Sequence, residues 1–246
     1  MKIMDKLKTL LAAVLFAPAL VFPAAAPASE EAHLDRAPDL SGDKAALQNG
    51  ARLFVNYCLS CHGASALRYT TLQELGLTEA QITENLMFTT DKIRDPMTIA
   101  MTPADAKKWF GVAPPDLSLV ARARASAGGS GADWLYTYLR SFYRDETRPT
   151  GWNNTLFANV GMPHILFDLQ GEQVLGADGK LQLSAPGKLS AQDYDKQVAD
   201  LVGFLTWMSE PQAEFRKRLG VGVLIFLALL FGFAYALKKE YWKDVH

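Results

Sequence analysis

Two cysteines and four histidines are all that this 246-residue sequence offers to thiol or imidazole chemistry. The cysteines, Cys58 and Cys61, lie three positions apart, which excludes a disulfide framework tying distant segments together. Beyond the histidine that follows Cys61 only His33, His164 and His246 remain, too few donors for an obvious structural zinc site. No repeat recurs along the chain, and no cluster of basic residues has the form of a nucleic-acid footprint, so no nucleic-acid partner is expected. Residues 219–237 contain no charge at all.

That uncharged run of nineteen residues, Leu219–Leu237, spans about 30 Å as a helix, the thickness of a hydrocarbon core. It reads as a transmembrane anchor. Arg216, Lys217 and Arg218 flank one end and Lys238, Lys239 and Lys243 the other, so positive charge alone leaves its orientation tied. A second apolar block, Leu10–Phe22, is short, interrupted by Pro18, preceded by Lys2, Lys6 and Lys8, and followed by small residues. This is the pattern of a secretory signal peptide over residues 1–28, with cleavage after Ala26 or Ala28. Export breaks the tie. It places residues 29–210 in the periplasm as one domain, 211–218 as a basic linker, 219–237 in the inner membrane and 238–246 in the cytoplasm. The exported part carries 22 Asp and Glu against 16 Lys and Arg, a net charge of −6, which keeps it soluble and can steer a basic partner.

Asn56-Tyr57-Cys58-Leu59-Ser60-Cys61-His62-Gly63 contains C-x-x-C-H, the attachment signature of c-type haem. On a helical turn, positions i, i+3 and i+4 share a face. Cys58 and Cys61 can therefore add to both vinyl groups of one porphyrin, while His62 faces its iron. A thiol–disulfide site is the competing reading, but no strand-period run surrounds the motif and export with a following histidine favours haem. There is one such motif, hence one haem. The sixth ligand is less determined by pattern. Met162, in Gly161-Met162-Pro163, sits where glycine and proline force an irregular loop; Met97 and Met101 also lie near prolines, and His164 is a rival. Met208 falls on the apolar stripe of a helix and reads as core.

Further motifs follow in order: Ala113-Pro114-Pro115-Asp116-Leu117-Ser118, Arg122-Ala123-Arg124, Asp133 to Arg140, Arg148 to Asn154, Gly161-Met162-Pro163, then Glu210-Pro211 and Arg216-Lys217-Arg218 before the anchor. With the haem motif, this set resembles the cytochrome c1 family, the haem subunit of the cytochrome bc1 (quinol–cytochrome c oxidoreductase) complex. The resemblance implies that Met162 is the sixth ligand, that Arg124 approaches a haem propionate, and that Pro115 lies on the His62 side of the haem. It also implies cytochrome b, a Rieske iron–sulfur protein and a cytochrome c acceptor as partners, with one-electron transfer and no substrate bond made or broken on this chain. Lys108-Trp109-Phe110 and the Gly/Ser-rich stretch Ala125–Gly131 depart from the family pattern.

The expected fold is mainly α: a c-type cytochrome domain with one C-terminal transmembrane helix. Helices are predicted near Asp43–Cys61, Thr78–Met87, Thr102–Trp109, Pro115–Ala123, Asp133–Tyr143 and Ala191–Met208. A hairpin is predicted around Ala177-Asp178-Gly179-Lys180. Gly50, inside the first helix, is expected at a close crossing with the last soluble helix.

Overall fold

Asp43 starts the first helix as the sequence predicts, its carboxylate accepting from Ala46 N–H at 3.0 Å. The computed structural model describes residues 33–244, so the signal peptide expected over 1–28 lies outside the described residues. In chain order the elements are α1 (Lys44–Leu53), β1 (Ala64–Arg68), α2 (Glu79–Asn85), β2 (Pro96–Met97), α3 (Pro103–Phe110) and α4 (Val120–Ala123). They continue with α5 (Gly131–Arg140), β3 (Phe142–Arg144), β4 (Trp152–Asn154), α6 (Phe167–Gln170), β5 (Gly171–Leu175), β6 (Leu181–Pro186), α7 (Ala191–Ser209) and α8 (Ala213–Tyr241).

Helix α1 turns Ala46, Leu47, Gly50, Ala51 and Leu53 inward. Past Leu53 it widens into one π-helical turn, Phe54–Cys58, closed by Leu59 N–H to Phe54 C=O at 2.9 Å. Such widened turns concentrate at functional sites, and this one delivers the haem motif. Helix α7, capped by Ser190 through Asp193 N–H at 3.1 Å, crosses α1. Gly50 lies at that crossing: a Cβ there would overlap the Asp200 carbonyl oxygen and crowd Phe204. Gly50→Ala is therefore expected to destabilise the domain by about 1–3 kcal/mol despite Ala's better helix propensity. A shift of the urea midpoint at unchanged slope checks this; an unchanged midpoint would contradict the tight crossing.

Helix α5 opens on a capping box between Ser130 and Asp133 and packs on α7, where buried Tyr194 donates to the Leu139 carbonyl at 2.8 Å. It also anchors the chain leading into the domain. Asp35 N–H donates to Thr137 Oγ1 and Ala37 N–H to Asp133 Oδ1, each at 2.8 Å, and Arg140 bridges Asp35 and Asp195.

Three two-stranded antiparallel ladders, β1–β2, β3–β4 and β5–β6, complete the domain. Only β5–β6 is the predicted hairpin, turning at Gly179 with φ +76°. The other strands are two to five residues long, too short for alternation to announce them. Among the helices that are shorter than predicted, two have a visible cause. Pro115–Leu119 is not helical because its backbone bonds elsewhere, as described below, and the last predicted residues of α5 become β3. Helix α8 is 29 residues, fully unburied, and long and apolar enough to cross a membrane. Residues 213–218, expected within a linker, are its first turns.

Candidate functional site

Beyond the π-helical turn the chain tightens, and both Cys61 N–H and His62 N–H bond the Cys58 carbonyl, at 3.0 and 2.8 Å. Cys58 lies in the core while Cys61 and His62 are half-buried. His62 Nδ1 lies 2.7 Å from the Pro115 carbonyl oxygen. A carbonyl only accepts, so Nδ1 carries the proton and the lone pair resides on Nε2. The Pro115 carbonyl is itself held firmly. Leu117 N–H bonds Gly63 C=O at 2.8 Å, Asp116 accepts from Ser65 N–H and Ser118 N–H at 2.8 Å each, and Ser118 Oγ accepts from Ala66 N–H at 3.0 Å. Two consecutive prolines, which lack N–H groups, leave this segment free to lie along β1 instead of coiling.

Burial pushes the His62 pKa down, outweighing the Pro115 bond and the nearby Asp116 carboxylate, so the ring is neutral at pH 7 as a metal ligand must be. Burial pushes the Cys58 thiol the other way, up to about 12, with Cys61 adding to the rise. A thiol–disulfide catalyst needs a depressed thiol pKa. Cys58 has the opposite environment.

Met162 stands on a loop shaped by two buried asparagines at the end of β4. Asn153 Oδ1 accepts from Asn154 N–H at 2.9 Å and Asn159 N–H at 2.8 Å, and its Nδ2 donates to Asp145. Asn154 Oδ1 accepts from Leu156 and Phe157 N–H, while its Nδ2 donates to the Tyr138 carbonyl at 2.8 Å, tying the loop to α5. Arg148 grips Asn159 by side chain and carbonyl; Asn159 has φ +61°, in the left-handed region that asparagine tolerates. Met162 is half-buried, and the Tyr138 hydroxyl donates to its Sδ at 3.5 Å.

The rival ligands sit otherwise. Met97 is fully buried opposite Ala64 in β2, and Met208 is core on α7 as its stripe predicts. Met101 lines a crevice of about 250 Å³ with Cys61, Ile99 and Asp116. His164 is 2% exposed, stacked parallel on Phe142 with ring centroids at 4.9 Å and edge-on to Trp152 at 5.1 Å. Its Nε2 has no hydrogen-bond partner among the described residues, and burial drops its pKa to about 4. The unfolded chain takes up that proton near 6.5 and the folded one only near 4. Stability is thus complete above pH 6.5 and declines toward pH 4, by on the order of 3 kcal/mol. His164→Phe should flatten this part of the melting-versus-pH profile; an unaltered slope would contradict the assignment.

Around these two loops the side chains are those a porphyrin requires. A Cβ at Gly161 would come within 3.2 Å of Val112, so the segment leading to Pro115 and the Met162 loop meet at one edge. Val112, Leu119 and Phe157 are exposed apolar groups. Arg124 caps α4 with its guanidinium 4.2 Å above Trp134 and 5.6 Å from Phe157, and it has no carboxylate partner among the described residues. Trp134 stacks in turn on Tyr138, centroids 4.8 Å apart. Paired thiols, an imidazole with a free Nε2, apolar walls and an available cation fit a covalently held haem. The roles of Asp116 and Ser118, of Asn153 and Asn154, and of the Tyr138 hydroxyl are absent from the sequence reading, since each acts through backbone atoms or a single long-range contact.

Such an arrangement, on a domain followed by one helix of membrane-spanning length, defines a membrane-anchored c-type cytochrome. Comparison with known proteins narrows the class. The model of the cytochrome C1 family matches residues 37–245, and the chain belongs to that family. It is 48% identical to cytochrome c1 of Allochromatium vinosum over 87% of this chain and 90% of that protein, and 30% identical to cytochrome c1 of Rhodospirillum rubrum over 82% and 83%. It is 47% identical, over 99% of this chain and the whole of the relative, to a Nitrosomonas europaea protein named ammonia monooxygenase gamma subunit. Membership makes the chain a haem-bearing electron carrier of the respiratory chain, with a covalent c-type haem and its iron.

Proposed function

We propose that this chain receives single electrons from a Rieske iron–sulfur protein and passes them to a cytochrome c, beside cytochrome b in a cytochrome bc1 complex. The haem supplies the one-electron ferric/ferrous couple. Cys58 and Cys61 would hold it through thioethers, and His62 Nε2 and Met162 Sδ would ligate its iron. Arg124 would neutralise a propionate, for which a guanidinium is well shaped. The observation that carries the reading is the 2.7 Å bond from His62 Nδ1 to the Pro115 carbonyl, because it fixes ring and tautomer with Nε2 free on the same turn that carries both cysteines. The soluble domain faces the periplasm of a bacterial inner membrane after removal of the signal peptide at residues 1–28. Helix α8 crosses with its C-terminus in the cytoplasm.

A second reading comes from the name of the Nitrosomonas relative: the same carrier serving an ammonia-oxidising oxygenase. Purification in mild detergent through a C-terminal tag separates the two. Cytochrome b and a Rieske protein should accompany the chain with quinol–cytochrome c reductase activity. Their absence, with a copper or iron oxygenase in their place, would overturn the first reading.

A further inference from the structure

Tyr138 is buried, and among the described residues the one hydrogen bond of its hydroxyl is to the sulfur of Met162, at 3.5 Å. Burying a hydroxyl without a partner is costly, so a contact to so weak an acceptor as a thioether needs a reason. The ring is not free to seek a better partner. Trp134 stacks on it at 4.8 Å, Phe142 meets it edge-on at 5.1 Å, and the Tyr138 carbonyl is bonded to Asn154, the residue that also shapes the Met162 loop. Helix and loop are thus joined twice at this one residue, through backbone and through side chain.

A thioether sulfur has two lone pairs. If one binds iron, as the reading of Met162 as sixth ligand requires and on which this inference rests, the other remains to accept a proton donor. Electron density drawn toward the donor is density withheld from ferric iron, the more electron-demanding of the two states. We infer that Tyr138 is a positioning residue that raises the reduction potential of the haem by donating its hydroxyl proton to the iron-bound sulfur of Met162. It also fixes which sulfur lone pair, and so which sulfur configuration, faces the metal. Neither effect needs Tyr138 to touch the haem. Its ring packing alone would account for neither.

Tyr138→Phe tests this in the detergent-purified full chain, since it retains the ring and deletes one oxygen. Two readouts are taken on wild type, Tyr138→Phe and Met162→Leu: the weak far-red band that thioether-to-ferric ligation produces, and the midpoint of a redox titration. Wild type should show the band and Met162→Leu should lose it. Tyr138→Phe should keep it and titrate lower, its ferrous-to-ferric ratio at fixed ambient potential falling about fivefold, ~40 mV at 59 mV per decade. A band that survives in Met162→Leu overturns the ligand assignment itself. A band lost in Met162→Leu, with an unmoved or raised midpoint in Tyr138→Phe, leaves the ligand in place and overturns the role of Tyr138. Loss of the band in Tyr138→Phe does so too, because the hydroxyl would then be needed for ligation and not for its tuning.

Discussion

Met162→His is expected to lower the midpoint potential by roughly 0.2 V, a quarter of the span of about 0.8 V that axial ligands command in haem proteins. Thioether sulfur is a soft, weak donor that favours ferrous iron, whereas imidazole nitrogen donates more strongly and favours ferric. The loop is suited to test this without collapse. Asn153, Asn154 and Arg148 hold it by hydrogen bonds that do not involve residue 162, and Met162 is only half-buried. The substituted protein should therefore fold and attach haem, while electron transfer through it slows because the electron no longer has a favourable step to the haem. Potentiometry of the purified variant checks it. A midpoint within about 30 mV of wild type would remove Met162 from the iron, leaving Met101, also half-buried, as the next candidate.

Replacing both Cys58 and Cys61 by serine is expected to abolish covalent haem and, with it, cooperative folding of the domain. The haem stands in for core. Val112, Leu119 and Phe157 are large apolar side chains with about half their surface exposed, clustered on the segments that flank the haem motif and Met162. At about 25 cal/mol per Å² of apolar area covered, a porphyrin spread over such walls contributes several kcal/mol, a large fraction of a small domain's net stability. A covalently attached haem stays on the unfolded chain too, so it stabilises the fold through the apolar cover and the polar contacts that it gains only in the folded state. Thermal unfolding followed by far-ultraviolet circular dichroism should lose its sigmoid in the double variant. A cooperative transition at the wild-type temperature would contradict the dependence of the fold on its cofactor.

How far the sequence carries the structure depends on the range over which each residue acts. Asp43, Thr78 and Thr102 stand at helix starts legible in the sequence and act there as caps, as Ser190 does for α7, because a cap is a contact between near neighbours. Gly50 was legible as a crossing point, since glycine inside an amphipathic helix has few other uses. The anchor needed only its uncharged length. Cys58, Cys61 and His62 were legible because their chemistry is compressed into one turn. Pro115–Leu119, in contrast, reads as helix in the sequence and is irregular in the structure: its bonds go to Gly63, Ser65 and Ala66, more than fifty residues away, and no periodicity encodes a partner at that distance. The same holds for Asn153 and Asn154, whose side chains replace backbone partners in a loop, and for Tyr138, whose pattern says only that it faces inward. His164 showed itself as a rival ligand, yet it serves as a buried aromatic plate between Phe142 and Trp152. An imidazole's role is set by what stacks on it, which the sequence does not display.

Peptide mapping by mass spectrometry on the mature, membrane-extracted protein tests the core of the account most directly. The fragment containing Tyr57 to His62 should carry one haem, with both sulfurs modified. The same fragment unmodified, its two sulfurs free or joined to each other, would contradict it.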